Sequence, residues 1–248
     1  MDSPLQGEIF MPSRELPLPS GLASSHHFWN QKAKENPYWY VSSYGPYKDR
    51  NLDEFWASGE EIWRELKEAT CYRPSHSDVV VEIGCGVGRI TRAIAKDAST
   101  VEAFDISEKM VELAREGHVQ NATFHVNDGA SLDLPAASAD AAVAYCVFQH
   151  LPNLSMLGKY LREMMRVTKP GGIIAFTTGS RDWKDSFLAA IRVKAFLKGM
   201  LGLQPAGLHK TAWLGIRPSR RQVEAICPFP IAFTALKNGR WLYHGSAR

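Results

Sequence analysis

Five residues, Val79-Val80-Val81-Glu82-Ile83, run straight into Gly84-Cys85-Gly86-Val87-Gly88 and then into a helix-forming stretch that opens at Arg89. A short, nearly unbroken apolar run is the pattern of a strand buried on both faces. The glycines let the chain turn tightly and let a ligand approach the backbone, and the helix start offers unpaired N–H groups and the positive end of its dipole. A polar or anionic ligand is therefore expected at the loop. Dinucleotide-binding loops read G-x-G-x-x-G, but Arg89 occupies the third glycine position and the chain reads G-x-G-x-G, which disfavours hydride chemistry on a nicotinamide cofactor.

The texture around this loop sets the architecture. From Asp78 onward, strand-like runs (Val79 to Ile83, Thr100 to Phe104, Ala122 to Val126, Ala141 to Val147, Ile173 to Thr178) alternate with helical ones (Arg89 to Lys96, Glu108 to Glu116, Ser155 to Val167). That alternation specifies an α/β domain with a parallel sheet covered on both faces. Upstream, residues 25–50 read as a short helix ended by Pro37 and then an irregular segment carrying Tyr38, Trp39, Tyr40, Tyr44 and Tyr47. Asp53 to Ala69 is an amphipathic helix. Downstream, residues 183–203 read as a long helix, followed by a Gly/Pro-punctuated loop to Pro218. Ile231 to Leu236 and Arg240 to Tyr243 flank Asn238-Gly239, the signal for a hairpin with a type I′ turn.

At 248 residues the chain is long enough for one α/β domain, and residues 28–248 are read as that domain behind a loose tail of residues 1–27. A net charge of +3 is too mild to imply nucleic acid. Cys71, Cys85, Cys146 and Cys227 are widely spaced, so neither a zinc site nor a disulfide framework is expected, and no metal is assigned. With no signal-peptide or membrane-spanning stretch, a cytoplasmic location is the expectation.

Three carboxylates fall at strand ends, where open α/β sheets bind ligands. Glu82 lies two residues before the first glycine, and burying it costs several kcal/mol unless it is paired. Asp105, 21 residues beyond Gly84, is placed to accept both hydroxyls of a ribose. Asp128, before Gly129, is placed to meet the polar edge of a purine. The plainer reading of Asp105 and Asp128 is that each caps the next helix.

Together these segments resemble the core of the class I S-adenosylmethionine-dependent methyltransferases. VVVEIGCGVGRIT resembles their first motif, VEAFDIS the acidic end of the second strand, FHVNDGASLDLP the third, AVAYCVFQHLP the fourth and RVTKPGGIIAFTT the fifth strand. The resemblance covers roughly residues 52–182 and 219–245. It implies a doubly wound, Rossmann-like, mostly parallel seven-stranded sheet ending in an antiparallel hairpin, with N-terminal helices and a helical insertion before the hairpin. It also implies S-adenosylmethionine as donor. On that pattern Gly84, Gly86 and Gly88 line the methionine part of the donor, Asp105 the ribose, Asp128 and Gly129 the adenine, and Cys146 with its neighbours the edge of the fourth strand, while Glu82, Cys85, Ile106, Ala130 and Gln149 are further expected donor-binding residues. Methyltransferases of base amino groups carry Asn or Asp before Pro-Pro and an aromatic in the fourth motif. Tyr145-Cys146-Val147-Phe148 departs from that pattern and disfavours nucleic-acid amines.

Methyl transfer from a sulfonium depends chiefly on placing the acceptor, so few catalytic residues are expected. His150 is the candidate base, weighed against a purely structural histidine. Tyr38 and Tyr40 are candidates for the acceptor site, weighed against packing on the sheet edge. Between Arg181 and Arg221 stand nine Lys and Arg against two Asp. This stretch is read as a lid over residues 183–218, a site for an acidic acceptor, a helix at 183–203 lying on an anionic membrane, or simply a solvated face. The expected acceptor is a small molecule attacking through O, S or N. The competing readings are a methyltransferase of RNA or protein and a non-catalytic cofactor-binding module. The oligomeric state is left open.

Overall fold

A computed structural model describes residues 22–42, 47–129, 131–179 and 215–248. Tyr44, Ala130, the expected helix at 183–203, most of the expected lid and most of the basic stretch lie outside the described residues, as do residues 1–21 of the expected tail.

The described residues start with α1 (Leu22–Glu35), α2 (Pro37–Val41) and α3 (Leu52–Thr70). Then come β1 (Val79–Ile83), α4 (Thr91–Ile94), β2 (Thr100–Asp105), α5 (Glu108–Glu116), β3 (Ala122–Val126), β4 (Ala139–Ala144) and a 3-10 turn at Phe148–His150. It closes with α6 (Leu154–Val167), β5 (Thr168–Thr177), α7 (Arg220–Ile226), β6 (Ile231–Ala235) and β7 (Trp241–Ser246). The seven strands lie in the order β3-β2-β1-β4-β5-β7-β6. The first five are parallel, and β7 runs antiparallel to both β5 and β6. This is the expected doubly wound sheet with its terminal hairpin.

Alternation along β1 shows why both faces are covered. Val80 packs with Trp63, Leu66, Ile94 and Val111 on one side, and Val81 with Leu157, Leu161 and Met164 on the other. Each fully buried valine contributes about 1.5–3 kcal/mol. Sheet order reverses at β1, which has β2 on one side and β4 on the other, and a crevice opens there beyond the carboxyl ends of the strands.

Four local expectations change. The first helix begins at Leu22, inside the segment read as tail. Pro37 does end it, because a proline disfavours helical backbone in the residue before it, but Pro37 then sits at the start of α2, where its missing N–H costs nothing. Asn36 Oδ1 accepts from Trp39 N at 3.1 Å, so Tyr38–Tyr40 are helical and not irregular. The helix after the glycine loop is a single turn, Thr91–Ile94, shorter than the expected Arg89 to Lys96. In the terminal hairpin only Gly239 has a positive φ, +79°, and Gly239 N donates to Leu236 O at 2.9 Å. The connection is a type I turn closed by a glycine bulge, not type I′.

Candidate active site

The carboxyl ends of β1, β2, β3 and β4 wall a cavity lined by Glu82, Gly84, Cys85, Gly86, Asp105, Ile106, Asn127, Cys146, His150 and Tyr160 among others. Its floor is the glycine loop. Gly84 N and Cys85 N both donate to Phe104 O, at 2.6 and 3.0 Å, which pins the loop to β2. Gly84 and Gly86 adopt φ of +75° and +54°, backbone that a side chain opposes, and a Cβ at Gly86 would stand 2.6 Å from Val41. Val41, the last residue of α2, thus closes over the loop because Gly86 has no side chain.

Three acidic or amide groups face this cavity. Glu82 is 3% exposed and accepts from Thr91 Oγ1 at 2.5 Å. Burial pushes its carboxyl up to about 7, against the opposing pull of the Thr91 hydrogen bond and the Arg89 charge. Asp105 Oδ2 accepts from Gly86 N at 2.8 Å and Oδ1 from Ser107 N at 2.9 Å. Burial raises its pKa and these amides oppose the rise. A carboxylate has about four acceptor positions, so both oxygens retain capacity for further donors. Asn127 is 7% exposed; its Nδ2 reaches Tyr160 Oη at 3.4 Å, and its buried Oδ1 has no hydrogen-bond partner.

A second compartment, open to solvent, adjoins the first. The two share Trp29, Tyr40, Val41, Arg89, Tyr145, Cys146 and His150. Cys146 stands on this shared wall with φ +60°, a strained conformation for a side-chain-bearing residue, held by its N–H donating to Thr177 Oγ1 at 2.8 Å. His150 packs edge-on against Trp29 at 5.0 Å. Arg240 Nη1 donates to Gln149 Oε1 at 2.6 Å, which orients the amide so that Gln149 Nε2, 3.0 Å from His150 Nε2, is the donor to it. The neutral imidazole then carries its proton on Nδ1.

The expected site residues divide accordingly. Glu82, Gly84, Cys85, Gly86, Asp105, Ile106, Cys146 and His150 lie together on the inner wall. Gln149 lies only on the outer one. Gly88 lines neither compartment; a Cβ there would meet Phe124 and Ala114 at 3.4–3.8 Å, so it serves packing of the loop against β3 and α5. Asp128 also lies off both walls; its oxygens accept from Ser131 N at 2.8 Å and Ser131 Oγ at 3.1 Å, a local contact outside any described helix. Gly129 is buried and off the walls as well. Tyr38 is on neither wall; it packs edge-on against Phe55 at 5.3 Å. Tyr40 is on both, but its hydroxyl donates to Glu35 Oε1 at 3.1 Å, and burial with that acid raises its pKa well above normal, which removes it as a base near neutral pH.

Sequence reasoning missed Asn127, Trp29, Val41 and Tyr160. The rule that picked Asp128, a polar group at a strand end, selects Asn127 equally. Trp29 and Val41 carry no local signal, since their place depends on α1 and α2 folding back onto the sheet.

Comparison with known proteins gives this geometry its family. Residues 81–176 match the family described as "Methyltransferase domain". A ubiquinone biosynthesis O-methyltransferase of Paracidovorax citrulli is 30% identical over 185 residues, covering 69% of this chain and 74% of that one. A malonyl-acyl-carrier-protein O-methyltransferase of Pectobacterium atrosepticum is 33% identical over 183 residues, covering 69% of each. Among solved structures, magnesium protoporphyrin IX methyltransferase from Synechocystis with bound S-adenosylhomocysteine superposes with a TM-score of 0.61 at 16% identity, over 92% of this chain and all of that one. The chain belongs to the class I S-adenosylmethionine-dependent methyltransferases, and S-adenosylmethionine is its methyl donor.

Proposed function

We propose that the chain methylates an oxygen of a small-molecule acceptor, with the donor in the inner compartment and the acceptor in the outer. The observation that carries this is the shared wall, where two adjoining cavities meet at Cys146, Tyr145, Trp29 and His150. The preference for oxygen is supported by the O-methyltransferase names of the two relatives.

Bound S-adenosylmethionine supplies an electrophilic methyl on a sulfonium that is already a good leaving group, which leaves the protein mainly the work of placement. The inner wall fits such a ligand in three ways. Asp105 has spare acceptor capacity for ribose hydroxyls. The unpartnered Asn127 Oδ1 matches an adenine amine, a role expected at Asp128. The buried Glu82 gains a reason to ionise when a cation binds near it. His150 acts as a base only by withdrawing Nε2 from Gln149, so its place in the site is first of all to shape the passage between compartments.

A panel of small phenols, carboxylic acids, thiols and amines, scored for S-adenosylhomocysteine release and for methylated product, tests the reading. Turnover with an oxygen acceptor is expected. Turnover only with RNA or protein, or none with any acceptor despite donor binding, overturns it.

A further inference from the structure

Among the described residues, the outer compartment presents a half-buried guanidinium, Arg240, with no carboxylate against it. Its charged lining is Glu61, Glu65, Arg89, Lys237 and Arg240. Glu61 pairs with Arg64 at 3.5 Å. Glu65 Oε1 accepts from Lys237 N and so is committed to the hairpin turn. Arg89 Nη1 donates to Ser58 Oγ at 2.9 Å, and its charge opposes the rise that burial imposes on the Glu82 carboxyl. Lys237 is exposed at the rim. Arg240 is half-buried, and among the described residues its nearest anchor is the neutral amide of Gln149, one N–H of the five a guanidinium carries.

We propose that Arg240 is an anion-binding group of the acceptor site, and that the acceptor carries a carboxylate which Arg240 grips while the methyl-accepting oxygen lies at the shared wall. The proposal rests on the reading of the outer compartment as the acceptor chamber. Its chemistry favours a carboxylate because a guanidinium presents a planar fork of donors that a carboxylate's two oxygens match. Gln149 makes the fork useful. By holding Nη1 it fixes the guanidinium without neutralising it, and the same amide reaches His150, so the anion subsite and the passage to the donor are set by one side chain. The field extends inward, since the charges of Arg240 and Arg89 both pull down the Cys146 thiol on the shared wall, against the rise that burial imposes.

The test is calorimetric titration of benzoate, and separately of benzamide, into the full chain saturated with S-adenosylhomocysteine. The wild type is expected to bind benzoate at least tenfold more tightly than its neutral isostere. Arg240→Met is expected to lose at least tenfold in benzoate affinity and to leave benzamide unchanged. Gln149→Glu keeps the guanidinium but supplies an internal carboxylate, and it is expected to weaken benzoate in the same way, which guards against a misfolded Arg240→Met. Equal affinity for the two probes, no benzoate binding, or benzoate binding indifferent to both substitutions overturns the proposal. If S-adenosylhomocysteine itself does not bind, the reading of the inner compartment fails, and the same titrations on the free chain still decide the role of Arg240.

Discussion

Glu82 carries an electrostatic cost in the site, because burial opposes its charged form. Its folded pKa, about 7, lies above the ordinary carboxylate value, so the folded chain holds a proton that the unfolded chain has released. Stability contributed by the neutral form is therefore present below about pH 4.5 and is lost as pH rises through 7. Glu82→Gln removes the titration, so relative to the wild type the variant gains about 2–3 kcal/mol in stability between pH 5 and pH 8, as urea denaturation at the two pH values measures. An unchanged difference between the two would show that Glu82 is already ionised in the free protein. Asn127 makes the complementary case. Asn127→Leu deletes a buried acceptor that has no partner, so the free protein stays at least as stable in thermal denaturation while S-adenosylmethionine affinity falls tenfold or more, about 1.4 kcal/mol. Loss of stability with affinity intact would contradict this. The place of Gly84, Gly86 and Asp105 on the wall of the crevice was legible in the sequence because backbone conformation and strand-end position select for it. That Asn127 lines this wall and Asp128 does not was hidden, because the Asp128 contact with Ser131 shows only in the folded chain.

Among the elements, α1 and α2 form the cover of the inner compartment. Asn30 Oδ1 accepts from Ser107 Oγ at 2.7 Å and Lys109 N at 3.0 Å, so a residue of α1 caps the first turn of α5. Asn30→Ala is expected to cost about 1 kcal/mol, the worth of a helix cap, and to speed dissociation of S-adenosylhomocysteine in stopped-flow measurements, since the same bond ties the cover to β2's end. Unchanged dissociation would mean that the donor leaves by another route. The strand and helix alternation from Asp78 to Thr177 was readable because apolar period and length separate the two states. The docking of α1 was not, because it depends on contacts across some 77 residues, and α2 was hidden because Pro37 signals a stop and a start alike. The missed helix α7 did announce itself: Ser219 and Gln222 form a capping box.

For the whole molecule, the sheet order brings Glu82, Asp105, Asn127 and Cys146 to one crevice from four strands, and the returning hairpin brings Arg240 to its outer side. The sheet and its crevice follow from the order of motifs along the chain. The division into two compartments does not, because the wall they share joins Trp29, Tyr40 and Val41 of the N-terminal helices to Tyr145, Cys146 and His150 beyond β4. The central claim is that the donor rests against Asp105 and the glycine loop. Calorimetric titration of S-adenosylhomocysteine into the wild type and Asp105→Ala tests it most directly. One-to-one binding by the wild type, weakened about 10- to 100-fold in a variant that still folds, is the predicted result. Equal affinity in the two proteins would contradict it and place the donor elsewhere.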